Sequence, residues 1–284
     1  MQIQQLTDYG TGDPIVARLS VQTQDLLQFY RLTDTQKQGI FGLMFSDIQP
    51  KLMTCSRIMN QLKKEVEENQ KVVEERGVAI QGGGRAYTCP SIFDLRPRAE
   101  TFLYHAKAVL RDLTQIFMIL FSKNFHKSAR YDQVVTWCAA ELGAENELTR
   151  MLREDESTWI RKLVNMRNAV EHPGGHSGVL NVENFTCTVE NKRVIVAEPV
   201  WYLNNEPKTA IAPEMQVFVE NLLTLCEETL ILCLERFKKG FPILVVEIPE
   251  QDRRPECPVR FRMTIDTAKV QLPSATNGEY QPHA

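Results

Sequence analysis

The most regular pattern in the chain lies between residues 34 and 76. Phe41, Phe45, Ile48, Leu52, Cys55, Met59, Leu62 and Val66 recur at alternating steps of four and three, which lays one apolar stripe along a helix. The charged run EVEENQKVVEERG carries the pattern on to Gly77, a helix stop. Pro50 interrupts without shifting the phase, so the spacing predicts a long helix kinked near Gln49, or two helices in near register. Its seam can pack on helices of the same chain or on a second copy; with so few heptads, the first is expected.

A second helical stripe, Phe102, Ala106, Leu110, Leu113, Phe117 and Leu120, predicts a helix over 98–122. Its other face carries Glu100, Tyr104, Lys107 and Arg111, with His105 beside it. A shorter helix over 131–142 stops at Gly143, and a further one over 145–171 turns Trp159, Leu163, Met166 and Val170 inward. After Pro173-Gly174-Gly175 the period changes to two. Residues 178–203 read as two strands with a turn at Glu190–Asn191. A helix over 213–239 buries Val219, Leu222, Cys226, Leu230, Cys233 and Phe237, and 241–248 and 259–265 read as two more strands. Near the N-terminus only PIVARLSV stands out, as a short alternating segment, and the last dozen residues read as a disordered tail. The pattern therefore predicts a mainly α chain with a small β appendage. Its segments are an N-terminal part with the long helix (1–76), a helical core (95–177), a strand-helix-strand part packed on it (178–271) and the tail (272–284).

Between the first two helical regions, residues 77–97 carry Gly82, Gly83 and Gly84. A phosphate loop needs a preceding strand and a Lys-Ser/Thr at the following helix start. Neither is present, so this segment reads as a flexible connector.

Composition narrows the function classes. Of 284 residues, 43% are hydrophobic and 24% charged, an ordinary balance for a soluble globular protein. A net charge of −3 argues against holding long DNA by bulk charge, although a local basic site stays compatible with it. The apolar run IFMILF at 116–121 is far short of the roughly 20 residues that span a bilayer. The N-terminus has neither the basic region nor the apolar run of a signal peptide, so no membrane role and a cytoplasmic location are expected. The seven cysteines form no C-x-x-C and several sit in apolar helical runs. Neither a zinc site nor a disulfide framework is expected from that spacing, and the implied compartment is reducing.

The stretch with candidate chemistry is MRNAVEHPGG, residues 166–175. Arg167 and His172 are five apart, about 500° of helical rotation, and would not share a face on an unbroken helix. Pro173 pushes His172 out of the α region into the cap, from which its ring can swing back toward Arg167. Arg167 continues the line of Ile160 and Val164, so it emerges beside a half-buried strip where its fork calls for an anionic partner such as phosphate. Asn168 adds a neutral donor and acceptor. An imidazole at a helix C-terminus and a fixed guanidinium are the minimum set for metal-independent RNA cleavage: one moves the proton, the other stabilises charge on phosphorus oxygens. The competing reading is a capped helix end, since Arg, Asn and His all pair with orphan carbonyls and Pro-Gly-Gly is a common stop. His172 and His176 also form H-x-x-x-H, but the intervening Pro-Gly-Gly removes the helical face a metal pair would use. No cofactor and no metal are expected.

Arg167-Asn168-x-x-x-His172 resembles the R-x4-6-H motif of the HEPN superfamily. AETFLYHAKAVLRDLTQIF, from Ala99, is similar to the helix that opens such domains, and WIRKLVNMRNAVEH to the one that carries the motif. The resemblance covers about 95–175. It implies an antiparallel helical bundle that pairs two copies of the motif in a homodimer, and a metal-independent endoribonuclease of the toxin or defence type. Arg167 and His172 would be catalytic and Asn168 would shape the site. Were the helices over 98–122 and 145–171 antiparallel, Glu100, Tyr104 and His105 would line the same cleft and meet the substrate. The expected partner is RNA, with a cognate antitoxin or other protein as a further one. The alternative is a non-catalytic module of the same fold that binds RNA, a nucleotide or a protein.

Overall fold

Asp13 and Pro14 start the first helix where an alternating segment was expected. The Asp13 carboxylate accepts from the Ile15 amide at 2.8 Å, and proline takes the first helical position, where its missing N–H costs nothing. In the computed structural model, which describes residues 9–81, 86–126, 130–190, 193–238 and 243–265, α1 (Pro14–Val16) passes through a π-type turn, Ala17–Gln22, into α2 (Thr23–Leu27). Ile15, Val16, Leu19, Leu26 and Leu27 are buried, a helical spacing that the short window PIVARLSV disguises as alternation.

The long helical run is continuous. A capping box, in which Thr33 and Gln36 bond each other's backbone amides, opens α3 (Asp34–Gly42). A π-type turn, Leu43–Ile48, then leads into α4 (Gln49–Arg76), with Pro50 in its first turn. The irregularity therefore falls just ahead of the proline. The wide turn changes the helical phase, so Leu43 and Met44 are buried while Phe41 and Phe45 are half-buried and stack on each other with ring centres 5.5 Å apart. Beyond it, Ile48, Leu52, Cys55, Met59, Leu62 and Val66 all enter the core.

The connector contains a small antiparallel hairpin, β1 (Ala79–Gln81) with β2 (Ala86–Thr88); Gly82, Gly83 and Gly84 lie outside the described residues. The helix expected over 98–122 is two: α5 (Leu95–Leu113) and α6 (Gln115–Phe121), broken at Thr114, whose hydroxyl donates to the Arg111 carbonyl at 2.7 Å. The whole predicted stripe from Phe102 to Leu120 is buried across that break. Next come α7 (Tyr131–Leu142), ending at Gly143, and α8 (Glu147–Asp155). A π-type turn, Glu156–Ile160, joins α8 to α9 (Arg161–Glu171).

The period-two region folds as expected, in more pieces. Strands β3 (Leu180–Glu183) and β4 (Thr186–Glu190) run antiparallel to β6 (Val200–Leu203) and β5 (Arg193–Ala197), and one register serves both pairs: Glu183 faces Val200 and Thr186 faces Ala197. It is one long hairpin with a break near residues 184 and 199; its tip, residues 191–192, lies outside the described residues. Strand β7 (Thr209–Ala210) pairs with β6 and leads into α10 (Ile211–Leu234), which packs on α4 and α5. A last antiparallel pair, β8 (Ile243–Glu247) with β9 (Phe261–Ile265), closes the described chain. The predicted tail lies outside it. The molecule is thus mainly helical, with small antiparallel sheets in its C-terminal part. A single cluster of buried side chains runs from Ile15 to Leu234, through the three segments expected from the sequence. No helix among the described residues is long and apolar enough to cross a membrane.

Two links beyond the core tie the sheets to the rest of the fold. The Glu227 carboxylate, buried on α10, pairs with Arg18 and accepts from Gln22 at 2.8 Å, while the Gln22 carbonyl accepts from the Arg260 and Phe261 amides, each at 2.7 Å. The second link is covalent. Cys89 and Cys187 form a disulfide, contrary to the expectation from cysteine spacing, which cannot reveal a partner 98 residues away. The ground for a reducing compartment is thereby removed. Beside the bridge, the Asn184 amide makes two bonds to the Ile92 backbone, at 3.0 and 2.8 Å. Closing a loop of that length restricts the unfolded chain by about 4–5 kcal/mol. Reductant is expected to lower the thermal midpoint of the native chain and to leave that of Cys89→Ser unchanged in a melting scan. An equal response from both would show that the bridge contributes nothing.

Candidate functional site

Helix α9 is held at both ends. Near its start, Lys162 pairs with Glu214 in the first turn of α10, and the same carboxylate accepts from the Trp201 indole on β6. At its end His172 leaves the helix with φ −134° and ψ 71°, its amide still donating to the Asn168 carbonyl at 2.8 Å. The Pro-Gly-Gly stop is then fixed by a tight loop. Gly174, at φ +76°, donates to the Gly178 carbonyl, and Gly178 donates to that of Gly175. Gly178 has φ +80°, and a β-carbon there would lie 1.9 Å from Asn204 Oδ1, so any other residue would be strained and would displace the Asn204 side chain. The backbone around Arg167–His172 is therefore set by its surroundings.

Arg167 is the best-ordered cation of the motif. Its side chain is only 11% exposed. Nη2 lies 3.2 Å from Glu171 Oε1, one helical turn on, and the guanidinium carbon stands 5.4 Å from the centre of the Tyr104 ring. Nη1 is buried and, among the described residues, has no hydrogen-bond partner. Lys107 on α5 completes the arrangement: Nζ donates to Asn168 Oδ1 at 2.7 Å and lies 3.5 Å from Glu171 Oε2. Two cations from two helices thus share one carboxylate, and Asn168 is tied to one of them.

These groups line a cleft of about 260 Å³ between α5, α9 and the start of α7, together with Arg111 and Arg130. Lys107, Arg111, Arg130 and Arg167 give its wall four cations, against the single carboxylate of Glu171. Arg111 and Arg130 are braced by the adjoining Asp112 and Asp132, which hold their side chains without filling the cleft. Such a site suits an anion with several oxygens. Among the described residues no cluster of His, Cys, Asp and Glu side chains has the arrangement of a metal site.

The predicted site residues divide. Arg167, Asn168 and Tyr104 come together. His172 is exposed and is not among the residues that line the cleft; among the described residues its imidazole makes no hydrogen bond or ion pair, with Arg167 or any other group. Glu100 pairs with Arg96 at 3.4 Å and His105 turns toward α4; neither lines the cleft. Two physical reasons apply: the middle of α5, at Tyr104 and Lys107, meets the end of α9 while its start, with Glu100, does not, and His105, one residue after Tyr104, stands about 100° round the helix on the face toward α4. Glu171, Lys107, Arg111 and Arg130 carry as much of the site as the motif itself. The helical face shared by Tyr104, Lys107 and Arg111, and the i, i+4 spacing of Arg167 and Glu171, were the signals in the sequence; nothing there pointed to Arg130.

His105 has a separate role. Its Nδ1 is buried and has no partner among the described residues, and burial, followed by the nearby Lys51 and Arg57, holds its pKa below the ordinary 6.5. The unfolded chain thus binds a proton at this residue sooner than the folded one does, so stability is unaffected above pH 6.5 and falls as the pH drops below it. His105→Gln is expected to flatten that decline between about pH 6.5 and 5 in urea titrations; an unaltered pH profile would refute the assignment.

No family model matches this chain, and neither does any curated protein or solved structure.

Proposed function

We propose that the cleft at the end of α9 binds the backbone of single-stranded RNA and that Arg167 and His172 cut it without a metal ion, in a HEPN-type helical bundle acting as a homodimer. The observation that carries this reading is the Arg167 guanidinium, nearly buried, oriented by Tyr104 and Glu171 at the wall of a basic cleft, with a buried Nη1 that has no partner among the described residues. A planar fork held in one orientation recognises a phosphate at little entropic cost. In the reaction the ribose 2′-oxygen attacks the adjacent phosphorus and its proton passes to His172. Arg167 and Lys107 balance the charge that gathers on the phosphoryl oxygens, and the 5′-oxygen leaves with a proton returned by an imidazole. The products are a 2′,3′-cyclic phosphate and a 5′-hydroxyl. The exposed position of His172 suits a site completed by a second copy, and a toxin or defence effector with a cognate antitoxin is the biological role that goes with it.

A second reading has its own support. Glu171 occupies part of the Arg167 fork and Lys107 holds Asn168, a self-satisfied arrangement that suits a module binding RNA without cutting it. The two part in a cleavage assay on total tRNA and a generic single strand, with EDTA present. Native chain is expected to cut, and His172→Ala and Arg167→Ala to lose activity by about 10²- to 10⁴-fold, the scale of a general acid–base contribution. Native chain that binds these RNAs and yields no new ends would establish the binding module instead, and His172→Ala cutting at the native rate would dismiss the catalytic assignment.

A further inference from the structure

The break between α5 and α6 opens a second hollow beside the basic cleft. It measures about 490 Å³, and Arg111 and Thr114 line both hollows. The two hollows therefore share a wall, with Arg111 between them. Arg111 bonds Asp112 through Nε, at 3.0 Å, and through Nη2, at 2.9 Å, so its Nη1 keeps its donors for a ligand at that wall. Lys107 lies one turn earlier on the same helix. Two cations one turn apart, about 5.4 Å along the axis, suit successive phosphates of an extended strand.

The second hollow has different chemistry from the first. Its wall combines Met118, 50% exposed, and Phe125 with the side-chain amides of Gln115 and Asn124. Both amide residues are exposed and, among the described residues, neither side chain makes a hydrogen bond. An apolar surface edged by paired donor–acceptor groups is how proteins hold an unstacked base, by contact with its face and by reading its edge. Phosphate chemistry ends at Arg111, and amide chemistry begins beyond it.

We infer that the hollow bounded by Arg111, Gln115, Met118, Asn124 and Phe125 is a nucleobase subsite, taking one base of a single-stranded RNA whose phosphates lie on Lys107 and Arg111, and that Gln115 and Asn124 set base preference there. This rests on the reading of the adjoining cleft as an RNA-backbone site. It assigns specificity to residues outside the Arg167–His172 motif.

The test is fluorescence anisotropy with labelled oligo-A, oligo-C, oligo-G and oligo-U at low salt, for native chain, Lys107→Ala and the double variant Gln115→Ala, Asn124→Ala. Native chain is expected to favour one base by about tenfold, the worth of one or two well-placed hydrogen bonds. The double variant should bind all four homopolymers alike, at the strength of the less favoured ones, while Lys107→Ala weakens all four together and preserves their order. A base preference that survives in the double variant overturns the subsite, and so does a native chain that binds all four equally and loses them all in Lys107→Ala; the backbone site would stand in both cases. If native chain binds none of the four, the RNA reading itself falls, and the subsite with it.

Discussion

Helix α10 is the constraint around which the molecule is arranged. Its side chains from Ile211 to Leu234 are buried on nearly every face, so it cannot exist without α4, α5 and the hairpin packed around it. That burial takes the Glu227 carboxylate out of water. A lone buried carboxylate would cost several kcal/mol, and the fold answers with Arg18 and Gln22 from the first helical run and, at 3.8 Å, Arg260 just ahead of β9. The two ends of the described chain are thereby drawn to the middle of one helix. The same network explains why Arg260 is held so firmly: Glu228 and Glu247 also pair with it, and its bonds to Glu247 hold that carboxyl below the usual range.

The candidate site follows from this arrangement by way of α9. Glu214 in the first turn of α10 fixes Lys162, so α9 can lay its end across the middle of α5. There Arg167 meets Tyr104 and Lys107 meets Asn168 and Glu171. The basic wall is consequently built on two helices seated in the core, while His172 lies exposed just past the last turn of α9.

How much of this could be read from the sequence depended on how local each cause was. The stripes from Phe102 to Leu120 and from Ile48 to Val66 were legible because helical burial repeats within a few residues. The hairpin centred beyond Glu190 was legible for the same reason, at period two. The π-type turns were not, since they alter the phase without a marker residue, and Ala17–Gln22 hid a helix behind apparent alternation. In the site, Arg167, Asn168 and His172 stood out as a motif, and Tyr104 as a neighbour. The placement of Glu100 required the crossing point of α5 and α9, and that of His105 the face of α5 that α4 covers; long-range packing decides both. The Cys89–Cys187 bridge and the contact of Lys107 with Asn168, 61 residues away, belong to the same class.

Glu171 is the element on which the functional account turns, because its carboxylate occupies the fork that a phosphate would take. Substituting Glu171→Gln keeps the shape of the side chain and removes the competing charge. The most direct measurement is the affinity of native chain and Glu171→Gln for a labelled single-stranded RNA at low salt. The account predicts binding tighter by about two- to fivefold in the variant, the scale of one partly exposed ion pair released. Binding that is unchanged or weaker would contradict it, and the cluster at the end of α9 would then be a helix terminus that satisfies only itself.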